Sequence, residues 1–210
     1  MTRIIAGTAG GRRLAVPPGQ GTRPTSDRAR EGLFGTVTAI CGTLHGARVL
    51  DLYAGSGAVG LEALSRGAAD VLLIEADRRA IGVIRDNVAA VGLPGATVAI
   101  DRAERLLARP PAGHQDQDKD KDCFDLVIAD PPYAVTEEAV TRVLTLLQAG
   151  WLADDAMVVI ERATRSGPVD WPPGFLPGKS RRYGEATFWY GWYDSEAGAG
   201  QTGTASRSEA

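Results

Sequence analysis

The sequence has few cysteines, no long apolar run and little net charge, and each shortage excludes a class of protein. Its two cysteines, Cys41 and Cys123, stand far apart and form no C-x-x-C pair, which excludes a disulfide scaffold and a zinc ribbon. No apolar run approaches the roughly 18 residues that a membrane-spanning helix needs, so we expect no membrane partner. The N-terminal residues contain neither the apolar stretch nor the cleavage site of a secretory signal. We therefore expect a cytoplasmic protein.

The net charge of −3 argues against a protein that coats nucleic acid, but the charges are unevenly distributed. Residues 1–35 contain six arginines against one aspartate and one glutamate, a balance of +4. The segments 113–122 and 194–210 each carry −2 and are mostly polar or small residues. Such segments bury too little apolar surface to offset the entropy of ordering them. We therefore expect a disordered acidic insert, a disordered tail and a folded body with a basic N-terminal end.

The order of apolar and amphipathic segments predicts an α/β fold. A short N-terminal β-hairpin turns at Gly10-Gly11, and continuous apolar strands then alternate with helices. That alternation is typical of a doubly wound, Rossmann-like sheet, which we expect to be mostly parallel with an antiparallel last strand. A length of 210 residues is suited to one domain. We place a basic hairpin extension at 1–25 and the folded domain at 26–193.

The first long helix follows the Arg-rich segment. It is predicted to run from about Asp27 to Leu44, with Thr25 or Ser26 as its N-cap. The apolar residues spaced along one helix face should be buried, and they are Leu33, Phe34, Val37 and Ile40.

A glycine-rich loop follows the first strand of the sheet. Gly55, Gly57 and Gly60 fit the spacing G-x-G-x-x-G, and Glu75 ends the next strand, so the loop satisfies the dinucleotide-binding fingerprint. A pyrophosphate, however, prefers backbone N–H groups with no anion nearby, whereas Asp51 lies just before this loop. A carboxylate there suits a cofactor that carries an ammonium group and a sulfonium.

The segment D-x-x-A-G-S-G resembles the first motif of the S-adenosylmethionine-dependent methyltransferases of class I. The resemblance implies that the loop backbone holds the methionine moiety and that the acid ending the second strand, Glu75, binds both ribose hydroxyls. The end of the third strand corresponds to the adenine-binding position, although Arg102 separates the acid from the alanine where the family often has them adjacent. Asp101 and Arg102 also fit a helix N-cap with a solvated neighbour. The predicted cofactor-binding residues are Asp51, Tyr53, Ala54, Gly55, Ser56, Gly57, Glu75, Ala76, Asp101, Arg102 and Ala103.

The fourth strand ends in the tetrapeptide Asp130-Pro131-Pro132-Tyr133. Two prolines fix φ and remove two backbone donors, which leaves a rigid edge of acceptors suited to an NH₂ group. Tyr133 offers a flat face on which a base can stack. Because ligands bind beyond the carboxyl ends of such strands, Asp51 and Asp130 should face one cleft. The tetrapeptide resembles the [D/N]-P-P-[Y/F] motif of amino methyltransferases, which implies that these four residues form the catalytic motif.

The N-terminal block resembles one family within this group. The segments I-I-A-G (4–7), G-R-R-L (11–14), R-P-T-S-D-R-A-R-E-G-L-F (23–34) and L-E-A-L-S-R-G-A (61–68) are similar to those of the RsmD family, as is the segment 149–154. The resemblance covers about residues 3–192 and excludes the tail, and the acidic insert departs from the family's shorter loop. It implies a guanine-N2 methyltransferase acting on position 966 of 16S rRNA.

The same resemblance implies that the basic hairpin and the R-P-T segment reach over the active site to contact RNA. Arginines bind phosphates readily, although a solvated surface charge fits each single arginine equally well. Thr25 is predicted to shape the substrate pocket. The predicted RNA-binding residues are Arg12, Arg13, Arg23, Thr25, Arg28 and Arg30.

The sequence therefore predicts a monomeric, cytoplasmic enzyme that uses S-adenosylmethionine, releases S-adenosylhomocysteine and needs no metal. Its expected partner is 16S rRNA in the 30S subunit or an assembly intermediate. Three alternatives stay open at this point. A DNA adenine-N6 methyltransferase shares D-P-P-Y but needs a target-recognition domain for which the chain has no room. The other two are an NAD-dependent oxidoreductase and a ribosome assembly factor without catalysis.

Overall fold

The structure is a computed structural model that describes residues 2–18, 26–111 and 123–199. Two short strands precede an alternation of strands and helices, and an antiparallel pair follows it. In chain order the elements are β1 (Thr2–Arg3), β2 (Arg13–Leu14), α1 (Asp27–Cys41), β3 (Arg48–Leu52), α2 (Ala58–Ser65), β4 (Asp70–Glu75), α3 (Arg78–Val91), β5 (Ala96–Ile100), α4 (Ala103–Leu107), β6 (Phe124–Ala129), α5 (Glu137–Leu147), β7 (Leu152–Ala163), a 3₁₀ turn (Thr164–Ser166), β8 (Phe175–Tyr183), β9 (Ala186–Tyr193) and α6 (Ser195–Ala199).

Seven of the strands form one sheet in the order β5-β4-β3-β6-β7-β9-β8. Strands β3 to β7 pair in parallel, whereas β9 runs antiparallel to both of its neighbours. The two N-terminal strands pair antiparallel as a separate hairpin. The predicted fold class is confirmed, including the antiparallel last strand and the N-terminal hairpin.

Helices cover both faces of the sheet, which explains why its strands are apolar on both sides. One face packs against α1, α2, α3 and the N-terminal hairpin, which contributes Ile4 and Leu14 to that core. The other packs against α4, α5 and the buried Trp151. No helix in the described part of the chain combines the length and apolarity needed to span a bilayer.

The N-terminal extension is held against the helices by buried polar groups. Glu62 on α2 is fully buried, and its carboxylate accepts hydrogen bonds from the backbone N–H groups of Ile5 (2.7 Å) and Ala6 (3.0 Å). Asn87 on α3 exchanges two hydrogen bonds with the backbone of Ala15. Burying the Glu62 carboxylate without these partners would cost free energy, so the hydrogen bonds fix the extension in one position on the domain. The predicted boundary between 1–25 and 26–193 falls outside the described residues, as does the insert 113–122.

Helix α1 differs from its prediction at its end and on its buried face. The hydroxyl of Ser26 caps it by accepting a hydrogen bond from the Ala29 N–H (3.2 Å), while Thr25 lies outside the described residues. The helix ends at Cys41 and not at Leu44, because Gly42 adopts a φ of 76° and its N–H bonds to Thr38 O. Leu33, Phe34 and Val37 are buried as predicted.

Ile40 is the exception on that face, with 47 % of its surface exposed. It borders an open groove between α1 and the β8–β9 pair, so no neighbouring element in the described ranges covers it.

The predicted disordered tail also begins differently. Asp194 accepts hydrogen bonds from the backbone N–H groups of Glu196 and Ala197 (3.0 Å each) and starts the short helix α6. Residues 200–210 lie outside the described residues.

Candidate active site

Four acidic side chains lie at the ends of four neighbouring parallel strands. Asp101, Glu75, Asp51 and Asp130 stand at or directly after the carboxyl ends of β5, β4, β3 and β6, which are adjacent in that order. Parallel strands end at one edge of a sheet, so the topology alone brings these side chains to one side of the molecule. The prediction that this edge carries the site is consistent with the fold.

The glycine loop between β3 and α2 has a conformation that favours glycine. Tyr53, Gly55 and Gly57 have φ values of 62°, 57° and 75°, in the left-handed region. Gly57 is the N-cap of α2, and its N–H bonds to Ala54 O (2.7 Å). Gly60 is needed for packing, because a Cβ there would lie 2.7 Å from side chains of β4. The loop thus forms a tight turn at the sheet edge, at the start of α2.

Asp51 lies buried beneath this loop. Only 4 % of its surface is exposed, and its Oδ2 accepts a hydrogen bond from the Gly60 N–H (2.9 Å). Burial raises the pKa of this carboxyl to about 7, the bond from Gly60 opposes that rise, and the nearby Glu75 adds to it. The site therefore has a carboxyl group whose charge changes near neutral pH, in a position where a cationic ligand would favour the ionised form.

Glu75 connects the end of β4 to the glycine loop. Its Oε2 accepts a hydrogen bond from the Gly55 N–H, and its Oε1 accepts from the N–H groups of Ala76 and Asp77, each at 2.8 Å. Both carboxylate oxygens are therefore fixed at the loop, and the carboxylate has acceptor capacity left for ligand hydroxyls. Ala76 itself is exposed beside them.

The end of β5 shows a different arrangement. Asp101 accepts a hydrogen bond from the Arg102 N–H (2.7 Å) and pairs with Arg105, and the bond with Arg105 is the main reason that its pKa is lowered. Arg102 occupies the N-cap position of α4 with an exposed side chain, and Ala103 is buried. A helix does start here with a solvated Arg102, but Arg102 and not Asp101 is its N-cap, and no side chain caps it. The adenine-binding role of the segment stays a prediction.

The tetrapeptide after β6 extends outward from the sheet edge. The Asp130 N–H reaches Leu52 O (3.4 Å), Pro131 is buried, Pro132 is exposed and 58 % of the surface of Tyr133 is exposed. Pro132 O accepts a hydrogen bond from the Val135 N–H (2.8 Å), which closes the turn. A large aromatic ring that is left exposed beside a cleft is available for stacking.

One cleft brings together a part of the predicted catalytic and cofactor residues, and Glu75, Asp101 and Pro131 are not among those that line it. Asp51 and Asp130 both line it, as the sequence predicts, and four residues of the loop line it with them: Tyr53, Ala54, Gly55 and Ser56. Tyr133 is not among the lining residues and borders a neighbouring pocket. Tyr53 donates a hydrogen bond from its hydroxyl to Glu104 (3.2 Å), which holds its ring at the base of the loop.

Two further segments complete the wall of this cleft. The N-terminal extension contributes Val16 and Pro17, and α1 contributes Arg30 and Leu33. The extension is therefore a part of the candidate site and not only an appendage to the domain.

The predicted RNA-binding arginines are not gathered at this cleft. Arg12, Arg13 and Arg28 are exposed, and Arg23 and Thr25 lie outside the described residues. The Arg12 guanidinium contacts the carbonyl of Ala90, near the end of α3 that lies away from the sheet edge. At 1.5 Å per residue, this is about 18 Å along the helix from its start beside the site.

Arg30 requires a correction. Only 1 % of its surface is exposed, and its guanidinium donates to Asp27 and Thr2 (3.0 Å each) and to Arg3 O (2.6 Å). These bonds tie α1 to the N-terminal hairpin, so in this structure Arg30 is a buried tether and not a surface phosphate ligand.

Two residues of the site were missed by the sequence interpretation. Arg162, buried on β7, donates to Val135 O (3.0 Å) and to the Glu137 carboxylate (2.5 Å), and so holds the segment that follows the tetrapeptide. Glu161, its neighbour in sequence, lines the cleft beside Asp130. The signal was a pair of charged residues directly after the apolar run 156–160. Across the described ranges, no cluster of three or more His, Cys, Asp or Glu could hold a metal ion.

The chain is similar in sequence to several known proteins. Residues 2–192 match the family described as conserved hypothetical protein 95. The chain is 38% identical over 175 residues to ribosomal RNA small subunit methyltransferase D of Escherichia coli K12, covering 80% of each chain. It is 32% identical over 161 residues to the protein of the same name from Haemophilus influenzae, covering 76% of this chain and 77% of the relative.

Solved structures show the same similarity. The Escherichia coli protein described as the methyltransferase yhhF superposes with a TM-score of 0.78 at 32% identity, covering 92% of this chain and 98% of that one. A hypothetical protein of Thermus thermophilus superposes with a TM-score of 0.70 at 31% identity, covering 90% of this chain and 98% of that one.

Proposed function

Because the chain belongs to the conserved hypothetical protein 95 family, that of the RsmD-type rRNA small subunit methyltransferases, we propose that it methylates the exocyclic N2 of a guanine in 16S rRNA. By resemblance the target is the guanine at position 966, in the 30S subunit or an assembly intermediate. Because such a substrate is cytoplasmic, the proposed enzyme acts in the cytoplasm. Membership of a methyltransferase family also removes the oxidoreductase interpretation of the glycine loop.

The observation that carries this proposal is the placement of Asp130 in the same cleft as the glycine loop. The methyl donor and the acceptor amine must meet within bond-forming distance. A cleft lined by both the glycine loop and Asp130 can hold the donor and the acceptor at that distance.

The residues around the loop fit S-adenosylmethionine. Asp51 offers a buried carboxylate for its ammonium group, and the Glu75 carboxylate has lone pairs for the ribose hydroxyls. Tyr53, Gly55 and Gly57 have left-handed φ angles that form a tight turn. Because the two glycines have no side chain, the backbone can approach a ligand closely. When bound, the cofactor supplies a methyl group on a sulfonium and leaves as the thioether S-adenosylhomocysteine.

The catalytic role of Asp130 follows from the chemistry of an aromatic amine. The lone pair of such an amine is delocalised into the ring, which makes the nitrogen a poor nucleophile. The Asp130 carboxylate and the Pro131 carbonyl are acceptors that can hold both N–H hydrogens, favour a pyramidal nitrogen and direct its lone pair toward the glycine loop. After methylation the nitrogen loses one proton, which an Asp130 carboxylate oxygen can accept. Alignment and exclusion of water account for most of the rate.

Tyr133 replaces the stacking that the target base loses when it leaves the RNA. A base inside structured RNA must be unstacked before its amine can reach Asp130. The exposed ring of Tyr133, three residues along the chain, is available to receive it.

The raised pKa of Asp51 predicts a pH-dependent affinity for the cofactor product. In the ligand-free protein the carboxyl has a pKa of about 7 because it is buried, so it loses its charge as the pH falls through neutrality. The ionised form attracts the ammonium group of S-adenosylhomocysteine, and affinity should therefore weaken by up to about tenfold for each pH unit below that pKa. Isothermal titration calorimetry on the acid and alkaline sides of neutrality measures this directly. Asp51→Asn should bind weakly on both sides, and a wild-type affinity independent of pH would contradict the role given to Asp51.

The proposed function is tested by methyl transfer from labelled S-adenosylmethionine to 30S particles that lack the modification. We expect one methyl group per particle, with deproteinised 16S rRNA as the second substrate that distinguishes assembled from naked RNA. Double-stranded DNA is the comparison for the adenine-N6 alternative. Transfer to DNA without transfer to either RNA substrate would overturn the proposal, and no transfer to any substrate would favour an assembly factor.

A further inference from the structure

A second pocket opens beside Tyr133, at the same edge of the sheet. It lies between the 3₁₀ turn after β7 and the turn that joins β8 to β9. Its volume is about 360 Å³, which is enough for a phosphate group and part of a ribose. The pocket is separate from the cleft, because the residues that line the two are different.

The charged residues around this pocket carry a net positive charge. Two guanidinium groups, those of Arg165 and Arg182, line it against one carboxylate, that of Glu185. Arg182 Nε donates to Gly184 O (2.9 Å), which holds the guanidinium at the turn. We call this set the cationic pocket, and its remaining lining residues are Tyr133, Ala163 and Thr164.

We propose that the cationic pocket binds a backbone phosphate of the RNA next to the target nucleotide. This inference rests on the proposed function, because it places the RNA chain relative to a base that stacks on Tyr133. A flipped nucleotide stays joined to its neighbours, so a phosphate must lie within one nucleotide of that ring. Arginine forks suit phosphate oxygens, and the pocket provides two beside the ring. The RNA therefore crosses the sheet edge at the ends of β7 and β8, and not only over the N-terminal hairpin.

The test is the double variant Arg165→Gln/Arg182→Gln, assayed on 30S particles that lack the modification. The matched control is Arg85→Gln/Arg142→Gln, which removes the same charge from exposed positions that line neither the cleft nor the cationic pocket. We expect the pocket variant to raise KM for the particles. The slope of log KM against log salt should fall by about 1.5 for two lost cationic contacts, while S-adenosylhomocysteine affinity is unchanged.

Equal salt slopes for the pocket variant and the control would overturn this inference. If the wild-type protein does not methylate the particles at all, the proposed function fails instead, so the two failures are distinguishable.

A second inference comes from the register of β6 and β7. Ile128 pairs with Val159, and Ala129 with Ile160, so Asp130 and Glu161 are the next positions along the two strands. Neighbouring strands lie about 4.8 Å apart, and side chains alternate between the faces of a sheet. Ile128 and Val159 belong to the core on the α1 side, which places Asp130 and Glu161 on that same face.

The cleft contains both of these carboxylates. Asp130 and Glu161 line it together, and so does Phe188, the partner of Glu161 on β9. Two acceptor groups therefore stand side by side next to an aromatic ring, at the place where the target base must enter.

Two adjacent carboxylates match the edge of guanine and no other base. Guanine presents the N1–H and the N2 amino group side by side, and both are donors. Adenine and cytosine present an amino group beside a ring nitrogen that accepts. Carboxylate oxygens are hydrogen-bond acceptors, so a second carboxylate beside Asp130 favours the donor pair of guanine.

We propose that Glu161 accepts a hydrogen bond from the guanine N1–H and so determines which base is methylated. This inference also rests on the proposed function. Its test compares guanine with 2-aminopurine at the target position of reconstituted 30S particles, because 2-aminopurine keeps the amino group but has an acceptor at N1. Wild-type protein should prefer guanine by on the order of 100-fold or more in kcat/KM. The Glu161→Gln side chain can donate a hydrogen bond to N1 of 2-aminopurine. The preference of this variant for guanine over 2-aminopurine should therefore be about tenfold smaller than that of the wild-type protein.

The control for loss of one carboxylate is Glu138→Gln, on the exposed side of α5, which should keep the wild-type preference. If Glu161 has only a structural role, its variant will lower both rates by the same factor and leave the preference unchanged, which would overturn the inference. If guanine particles are not methylated by the wild-type protein, the proposed function is what fails.

Discussion

Replacing Asp130 by alanine is expected to lower the rate of methyl transfer by on the order of 10²- to 10³-fold, the usual cost of removing one positioned polar group from an active site. The side chain lies in the cleft with the glycine loop, and we assign it as the acceptor that holds the amine. Because Asp130 is not needed to hold the cofactor, S-adenosylhomocysteine affinity should change by less than about twofold. Single-turnover transfer to 30S particles and calorimetry measure the two effects separately.

The control for this prediction is Asp130→Asn. Its amide oxygen still accepts a hydrogen bond, and the motif that the tetrapeptide resembles allows either residue. We expect it to keep much more activity than the alanine variant. Full activity of Asp130→Ala would remove this residue from the mechanism, and equal loss of cofactor binding and turnover would indicate a structural role.

The second large effect is expected at Glu75. Its carboxylate accepts hydrogen bonds from the N–H groups of Gly55, Ala76 and Asp77, and we propose that it also accepts from the ribose hydroxyls. Hydrogen bonds to a charged group contribute about 1.5–3 kcal/mol each. Glu75→Ala should therefore weaken S-adenosylhomocysteine binding by about 100-fold, at about 1.4 kcal/mol for each factor of ten.

Calorimetric titration checks this value, and a thermal melt verifies that the variant is folded. Glu75→Gln, which keeps one acceptor oxygen, should lose less affinity than the alanine variant. Unchanged affinity in a folded Glu75→Ala protein would exclude the ribose contact.

The parts of the site that depend on local rules could be predicted from the sequence. Asp51, Glu75 and Asp130 each lie at or directly after the end of a buried apolar strand, and the strand pattern places them at one edge of the sheet. The tight turn of the loop could be predicted because glycine is the residue type that favours a positive φ, which Gly55 and Gly57 both adopt. These inferences need only the chain within a few residues of each position and the rule that parallel strands end at the same edge.

The parts of the site that could not be predicted depend on contacts between segments that are distant in the sequence. Arg30 resembles a surface arginine in sequence, yet it is buried because Asp27, Thr2 and the Arg3 carbonyl surround its guanidinium. Glu161 becomes part of the cleft only because β7 pairs with β6 in one particular register. No short motif encodes the position of the N-terminal hairpin on α2 and α3, and none encodes the register between β6 and β7.

The most direct test of the proposed activity is the identity of the methylated nucleoside. Particles methylated by the protein are digested to nucleosides and analysed by liquid chromatography with mass spectrometry, with untreated particles as the reference. We predict N2-methylguanosine as the product. Methylation of an adenine, of a cytosine, or of guanine at any atom other than N2 would contradict the proposal.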